Sequence, residues 1–338
     1  MIDLFFTGII VSFVISLVLT FYFVYLVIKK MSMANRTGID VNKLDKPKIP
    51  EMGGIAAFFA ITLSMSISVG FVKIIDEMSS EALLVAVSVM GLAALVGVLD
   101  DVSILGRREK AWLISFASLP LIISQISNEK LDFLILVFDF STENHYKYLF
   151  WFLIVPFGIS ACSNAINMSA GYNGLESGQM AIISINLLII SLINNADLIF
   201  CIIFSSVFGS CLGLYYFNRF PARIFIGDVG TLSFGSLVAA TLIMSNQIIF
   251  GIICIIPTFF ELFATVKYSF KGIERRGACM SPDISPSGEI RPPPGSEDYT
   301  LAFQILSRFP SNEKVLVQRL LLLYLFSGIL AIIIAYNF

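Results

Sequence analysis

The chain has 338 residues, of which 57% are hydrophobic and only 14% charged, and its formal net charge is −2. Soluble globular domains carry about 45–50% apolar and about 25% charged residues, so this balance excludes a soluble enzyme, a disordered chain and a disulfide scaffold. The near-neutral charge leaves no basic field that would suggest a nucleic-acid partner.

The composition is that of an all-α polytopic protein in a lipid bilayer. A hydrocarbon core of about 30 Å takes roughly 20 apolar residues at about 1.5 Å each. Ten segments qualify in chain order: 4–28, 53–75, 82–99, 111–127, 148–166, 179–194, 197–216, 231–245, 247–268 and 315–336. The first is too long for a signal-peptide core and lacks a small-residue cleavage site, so it reads as a retained span. The run Leu131–Phe138 is too short to cross and reads as a strand or interfacial piece in a loop. The whole chain, 1–338, reads as one integral-membrane domain without internal repeats.

Lys and Arg set the orientation. With both termini outside, the inside loops are 29–52, 100–110, 167–178, 217–230 and 269–314, and, counting span flanks, all but Lys73, Lys130 and Lys147 of the 22 Lys and Arg residues fall inside. The last of these loops holds a Pro/Gly-rich stretch, Gly277–Gly295, which reads as either disordered or functional, the functional reading being favoured. Of the five Cys, four lie in apolar runs and read as small hydrophobes, and none shows a metal-type spacing.

The unusual polar clusters all fall at inside helix ends. Asp100-Asp101 close the apolar run Gly91–Leu99, where two adjacent carboxylates repel each other and lose hydration. Ionisable groups near membrane depth are rare and usually functional. The pair suits a cation site or general-base work; the plainer reading is a solvated helix end. Lys110 follows, with Arg107 and Arg108 before it. Asn164 and Asn167, three apart, share one helix face, and amide oxygens are hard ligands suited to Mg²⁺. Gly171, Gly174 and Gly178 let backbone pass close to a flat or phosphorylated ligand. Asp228, in Phe225-Ile-Gly-Asp228, is a further oxygen ligand or simply an N-cap. Acceptor oxygens for a divalent ion, permissive glycines and cations are the inventory of phosphoryl transfer, in which positioning and charge neutralisation do most of the catalysis. No Walker loop, GxGxxG or HExxH is present.

These motifs, in this order, resemble the polyprenyl-phosphate N-acetylhexosamine-1-phosphate transferases of the glycosyltransferase family 4 type. The resemblance rests on Asp-Asp-Val…Arg-Arg-Glu-Lys110, Asn-Ala-Ile-Asn…Gly-Tyr-Asn-Gly-Leu-Glu-Ser-Gly178 and Pro-Ala-Arg-Ile-Phe-Ile-Gly-Asp228, and runs from about residue 38 to about residue 320. It implies a bundle of about ten helices whose cytosolic face moves a sugar 1-phosphate from a UDP-sugar to a lipid phosphate and releases UMP. Gly38-Ile-Asp-Val-Asn-Lys43, Ile49-Pro-Glu51 and Asp298-Tyr-Thr-Leu301 look like the eukaryotic and archaeal dolichyl-phosphate branch. The bacterial branches carry a His cluster in the last cytosolic loop, whereas the one His here is His145.

By the resemblance, Asn167 and Asp228 hold Mg²⁺, with Mn²⁺ as a substitute, on the pyrophosphate of UDP-GlcNAc, and Lys110 neutralises it. Gly171 and Phe225 sandwich the uracil, Asn173 hydrogen-bonds it and Val41 offers it a backbone contact. Asp100 and Asp101 orient or deprotonate the polyprenyl (dolichyl) phosphate. A phosphate monoester, with a second pKa of about 6, is already largely ionised, so orientation weighs above deprotonation. Glu51 and Asn164 join the substrate-binding set. Arg275 and Arg276 are the nearest match to an Arg-rich segment that contacts phosphate and N-acetyl sugar, with Arg291 as a substitute. Whether two copies form a homodimer is left open by the sequence. A transporter would show midplane charges or inverted repeats, and a CDP-alcohol phosphotransferase a different Asp-rich span; neither pattern is present.

Overall fold

The computed structural model describes residues 2–72, 78–103, 105–126, 130–133, 136–139, 145–270, 282–293 and 300–337. The described residues are mostly helical, with three short hairpins. Helix α1 (Ile2–Met33) is followed by a short hairpin, β1 (Thr37–Ile39) and β2 (Lys48–Pro50). Then come α2 (Gly54–Val72), α3 (Met78–Ser103), α4 (Arg107–Phe116) and α5 (Leu119–Ser124). A second hairpin, β3 (Lys130–Phe133) and β4 (Leu136–Asp139), pairs Leu131 with Phe138 where a strand or interfacial piece was expected. Next are α6 (His145–Leu149), a π turn (Phe150–Ile154), α7 (Val155–Ser169), α8 (Leu175–Ile193), α9 (Leu198–Asn218) and α10 (Gly227–Met244). The chain ends with α11 (Ile248–Cys254), α12 (Ile256–Phe270), the hairpin β5 (Asp283–Ile284) and β6 (Ile290–Arg291), α13 (Leu301–Arg308) and α14 (Glu313–Asn337).

Among the described residues, seven helices are long and apolar enough to cross a bilayer, and Gly54–Gly70 is a shorter apolar helix. The seven are Phe5–Met33, Ser80–Ser103, Tyr146–Ser169, Leu175–Ile193, Leu198–Asn218, Gly227–Met244 and Glu313–Asn337. The expected segments 111–127 and 247–268 are each two helices, α4 with α5 and α11 with α12. Prolines explain both breaks. Pro120 and Pro257 sit at the second residue of α5 and of α12, where a missing N–H costs nothing but the ring would collide with the carbonyl four residues back.

The helices pack through small and hydroxyl residues, as expected where lipid removes any hydrophobic drive between them. Ser16 Oγ donates to the Ser206 carbonyl at 2.6 Å, Thr20 Oγ1 to Ser210 Oγ at 2.8 Å and Ser64 Oγ to the Ser12 carbonyl at 2.6 Å, joining α1, α2 and α9. Nearly all of α10 is buried, with α2, α3 and α7 against it. Its contact with α3 is backbone on backbone: a Cβ at Gly97 would stand 2.4 Å from Val229 Cα. The buried cysteines Cys162, Cys201, Cys211 and Cys254 are free thiols inside this packing, as their apolar context implied.

Candidate active site

Five helix ends meet at one end of the bundle. Helix α3 finishes in Asp100-Asp101, and α4 opens four residues after α3 ends and presents Lys110 on its first turn. The turn into α4 is held by Gly106 N–H donating to Glu109 Oε2 at 2.9 Å. Asn167 lies on the last turn of α7, Glu176 on the first turn of α8 and Asp228 on the first turn of α10.

Lys110 Nζ bridges two carboxylates, Asp100 Oδ2 at 2.6 Å and Asp228 Oδ2. The other oxygen of Asp228 accepts from Asn167 Nδ2 at 2.7 Å, and Asn167 Nδ2 also donates to Thr231 Oγ1 at 2.9 Å. The free oxygen of Asp100 accepts from Leu105 N–H at 2.6 Å. Asp101 turns the other way: its oxygens accept from Asp228 N–H at 2.9 Å and Val229 N–H at 3.1 Å. It caps α10 from the neighbouring helix, satisfying two of the amides a helix start leaves open and placing negative charge at the positive end of the dipole.

Burial opposes the charge on Lys110, but Asp228 and Asp100 outweigh it and hold the ammonium above its usual range. Burial lifts the Glu51 carboxyl, Arg36 pulls it down and nearby Asp228 pushes it up again; the balance is a raised value.

A cavity of about 390 Å³ opens beside this cluster, a size suited to a small-molecule ligand. Of the residues expected from sequence, Val41, Lys110, Asn167, Gly171, Asn173, Phe225 and Asp228 line it. Gly171 has φ +132°, which an L side chain rarely adopts. Phe225 is anchored by its N–H to the Pro50 carbonyl at 2.8 Å. Asp100 and Asp101 stand behind the lining, tied to it through Lys110 and Asp228. Asn164 points back along its own helix, donating to the Ser160 carbonyl at 2.8 Å. Arg291 is exposed on the last hairpin, 3.2 Å from Glu289, and does not line the cavity. Arg275 and Arg276 lie outside the described residues.

Several further residues have no role assigned by sequence, although Asp40, Asn42, Glu176 and Thr300 stand inside its motifs. Asp40, Asn42, Glu176, Glu261, Thr300 and Tyr324 also line the cavity. Asp40, Asn42 and Asn173 join Lys43 and Glu313, which stand behind the lining, in one hydrogen-bonded network. Glu313 Oε1 accepts from Asn173 N–H at 2.8 Å and Asn42 Nδ2 at 3.3 Å, while its other oxygen pairs with Lys43. The Gly38–Lys43 motif was visible in sequence, but nothing local links it to a glutamate at the start of the last helix.

The oxygens available to a divalent ion are Asp228 and the Asn167 amide, with Asp100 across the Lys110 ammonium. Among the described residues no group of three or more His, Cys, Asp and Glu side chains forms a ready cage. Mg²⁺ needs none: it takes one or two protein oxygens and completes its shell with substrate phosphates and water. The all-oxygen donor set fits that ion.

Residues 82–246 match the description glycosyl transferase family 4. A protein of Methanocaldococcus jannaschii, provisionally named a glycosyltransferase, is 31% identical over 332 residues, 98% of this chain and 96% of the relative. One of Saccharolobus solfataricus, provisionally named a UDP-N-acetylglucosamine–dolichyl-phosphate N-acetylglucosaminephosphotransferase, is 32% identical over 78% of this chain and 79% of its own length. The phospho-N-acetylmuramoyl-pentapeptide-transferase of Clostridium perfringens is 27% identical over 78% of this chain and 84% of its own. The chain is therefore an integral-membrane helical transferase, and it belongs to glycosyl transferase family 4. Membership makes it a polyprenyl-phosphate N-acetylhexosamine-1-phosphate transferase, with a nucleotide sugar as donor and a lipid phosphate as acceptor.

Proposed function

We propose that the chain transfers N-acetylglucosamine 1-phosphate from UDP-GlcNAc to a polyprenyl phosphate of the dolichyl type. The products are UMP and lipid-pyrophosphate-GlcNAc, the first intermediate of lipid-linked oligosaccharide synthesis for protein N-glycosylation. The observation that carries this reading is the convergence of Lys110, Asn167 and Asp228 on one wall of a cavity that Gly171 and Phe225 also line. The name of the Saccharolobus relative supports the GlcNAc and dolichyl assignments.

In this reading a lipid phosphate oxygen attacks the β-phosphorus of the donor, the one bonded to the sugar, and the α–β bridging oxygen leaves with UMP. Lys110 moves from its two carboxylates onto the pyrophosphate and neutralises charge as the bond breaks. Asp228 and Asn167 would hold Mg²⁺, which would supply charge neutralisation for the pyrophosphate. Asp100 orients the acceptor phosphate. Asp101 acts one step back, keeping Asp228 in place through the start of α10. Phe225 and Gly171 enclose the base, and the acceptor tail remains in the bilayer. The Lys and Arg distribution supports a cytosolic site with both termini on the opposite side.

Purified protein given Mg²⁺, dolichyl phosphate and UDP-GlcNAc should release UMP and form the lipid-linked sugar. UDP-GalNAc and UDP-MurNAc-pentapeptide in parallel decide the sugar. Asp228→Ala and Asn167→Ala should abolish turnover in protein that still folds. Full activity in either variant would remove the metal assignment, and no UMP from any donor would remove the reaction.

A further inference from the structure

Resting on the uridine-nucleotide reading above, we propose that Asp40 is a positioning residue that decides base selectivity by fixing which edge of the Asn173 amide faces the cavity. Both residues line the cavity, yet both are nearly closed to solvent, Asp40 at 3% and Asn173 at 4% exposure. Asn173 Nδ2 donates to Asp40 Oδ2 at 2.9 Å. That same oxygen takes Lys43 Nζ at 2.9 Å, while Asp40 Oδ1 accepts from Asn42 N–H at 3.2 Å.

An ion-paired carboxylate only accepts, so the amide NH₂ must face Asp40 and the amide oxygen must face away. Rotating the amide would set two acceptor oxygens against each other in a buried place. Among the described residues no donor meets Asn173 Oδ1. The backbone carrying it has no slack: Asn173 N–H is held by Glu313 at 2.8 Å, and the Gly171 carbonyl by Asn42 Nδ2 at 2.8 Å. Lys43 sits between Asp40 and Glu313 and closes the knot.

The amide thus offers the cavity a fixed acceptor. A uracil edge carries an N3–H donor between two carbonyls and satisfies it. Cytosine presents a bare N3 acceptor at the same place and leaves two lone pairs opposed. Asp40 does not touch the base; it sets the polarity of the group that does.

The test is equilibrium binding of UMP, CMP and N3-methyl-UMP to the full-length protein by calorimetry. Wild type should prefer UMP to either analogue by about 10- to 100-fold, the cost of one unmade or mismatched buried hydrogen bond. In Asp40→Asn the facing group can donate or accept, the Asn173 amide is released, and the UMP-to-CMP ratio should fall about tenfold or more. Asp40→Ser, which also donates and accepts, gives the same readout if Asp40→Asn does not fold. An unchanged ratio in a folded Asp40 variant overturns the proposal. So does wild type that binds CMP or N3-methyl-UMP as tightly as UMP. Wild type that binds no uridine nucleotide overturns the uridine reading itself, a separate outcome.

Discussion

The crossing of α3 and α10 gives the most exacting test of how the active site is positioned. In Gly97→Ala the new methyl would stand 2.4 Å from Val229 Cα and 2.5 Å from Val229 N, both backbone atoms that no rotamer change can move. Ordinary contact begins at 3.4 Å, so the helices must separate by 3.4 − 2.4 = 1.0 Å. Overpacking of this kind costs about 1–3 kcal/mol in stability. The functional loss should be larger, because the displaced backbone carries Asp228, and a misplacement of about 1 Å costs about 100-fold in rate. Gly91→Ala on the same helix is the control: its nearest neighbour is the Phe58 ring at 3.9 Å. Both variants gain the same helix propensity, about 1 kcal/mol, so their difference isolates the crossing. The assay is UMP release under saturating substrates beside thermal unfolding in detergent. If Gly97→Ala matches Gly91→Ala in rate and melting temperature, the close crossing does not hold the site.

Asp101→Asn replaces one accepting oxygen by an NH₂ that must face an N–H, removing a charge-assisted bond worth about 1.5–3 kcal/mol. Turnover should fall about 10- to 100-fold with the KM for lipid phosphate little changed, since Asp101 spends both oxygens on the start of α10; a loss confined to the lipid KM would instead make it a substrate contact. Chelation should stop turnover, and Mg²⁺ should restore it fully with Mn²⁺ as a substitute; activity that survives chelator excess would sink the ion's role. Lys110→Met leaves Asp100 and Asp228 without their shared cation and should destabilise by about 3–5 kcal/mol. Because the folded pKa of Lys110 lies above the usual 10.5, its contribution is complete below that value and disappears only as pH rises past it. The stability gap between wild type and Lys110→Met, read by denaturant unfolding, should stay flat from about pH 8 to about pH 10; a gap closing within that window would contradict the ion-pair assignment.

The membrane class, the helical fold and the helix ends where polar residues gather were legible because each is a local property. Apolar runs reveal spans by length, and Asp100-Asp101, Asn164-Ala-Ile-Asn167 and Ile226-Gly-Asp228 are conspicuous as polar breaks in them. Length alone did not show that the segments around Pro120 and Pro257 are each two helices. Both prolines were visible, but counting apolar residues ignores the backbone donor and the steric room a continuous helix needs.

By itself, then, the sequence determined that this is a polytopic membrane transferase and which polar motifs interrupt its apolar runs. The tertiary structure alone decided how their side chains are arranged. It turned Asp101 away from the cavity into a cap for α10, aimed Asn164 back along α7, put Lys110 between Asp100 and Asp228, and brought Glu313 and Asp40 to the loop that carries Asn173. The reason is physical: a side chain's residue type fixes what it can donate or accept, but its partner is set by helix crossings and chain returns across up to 271 positions of sequence.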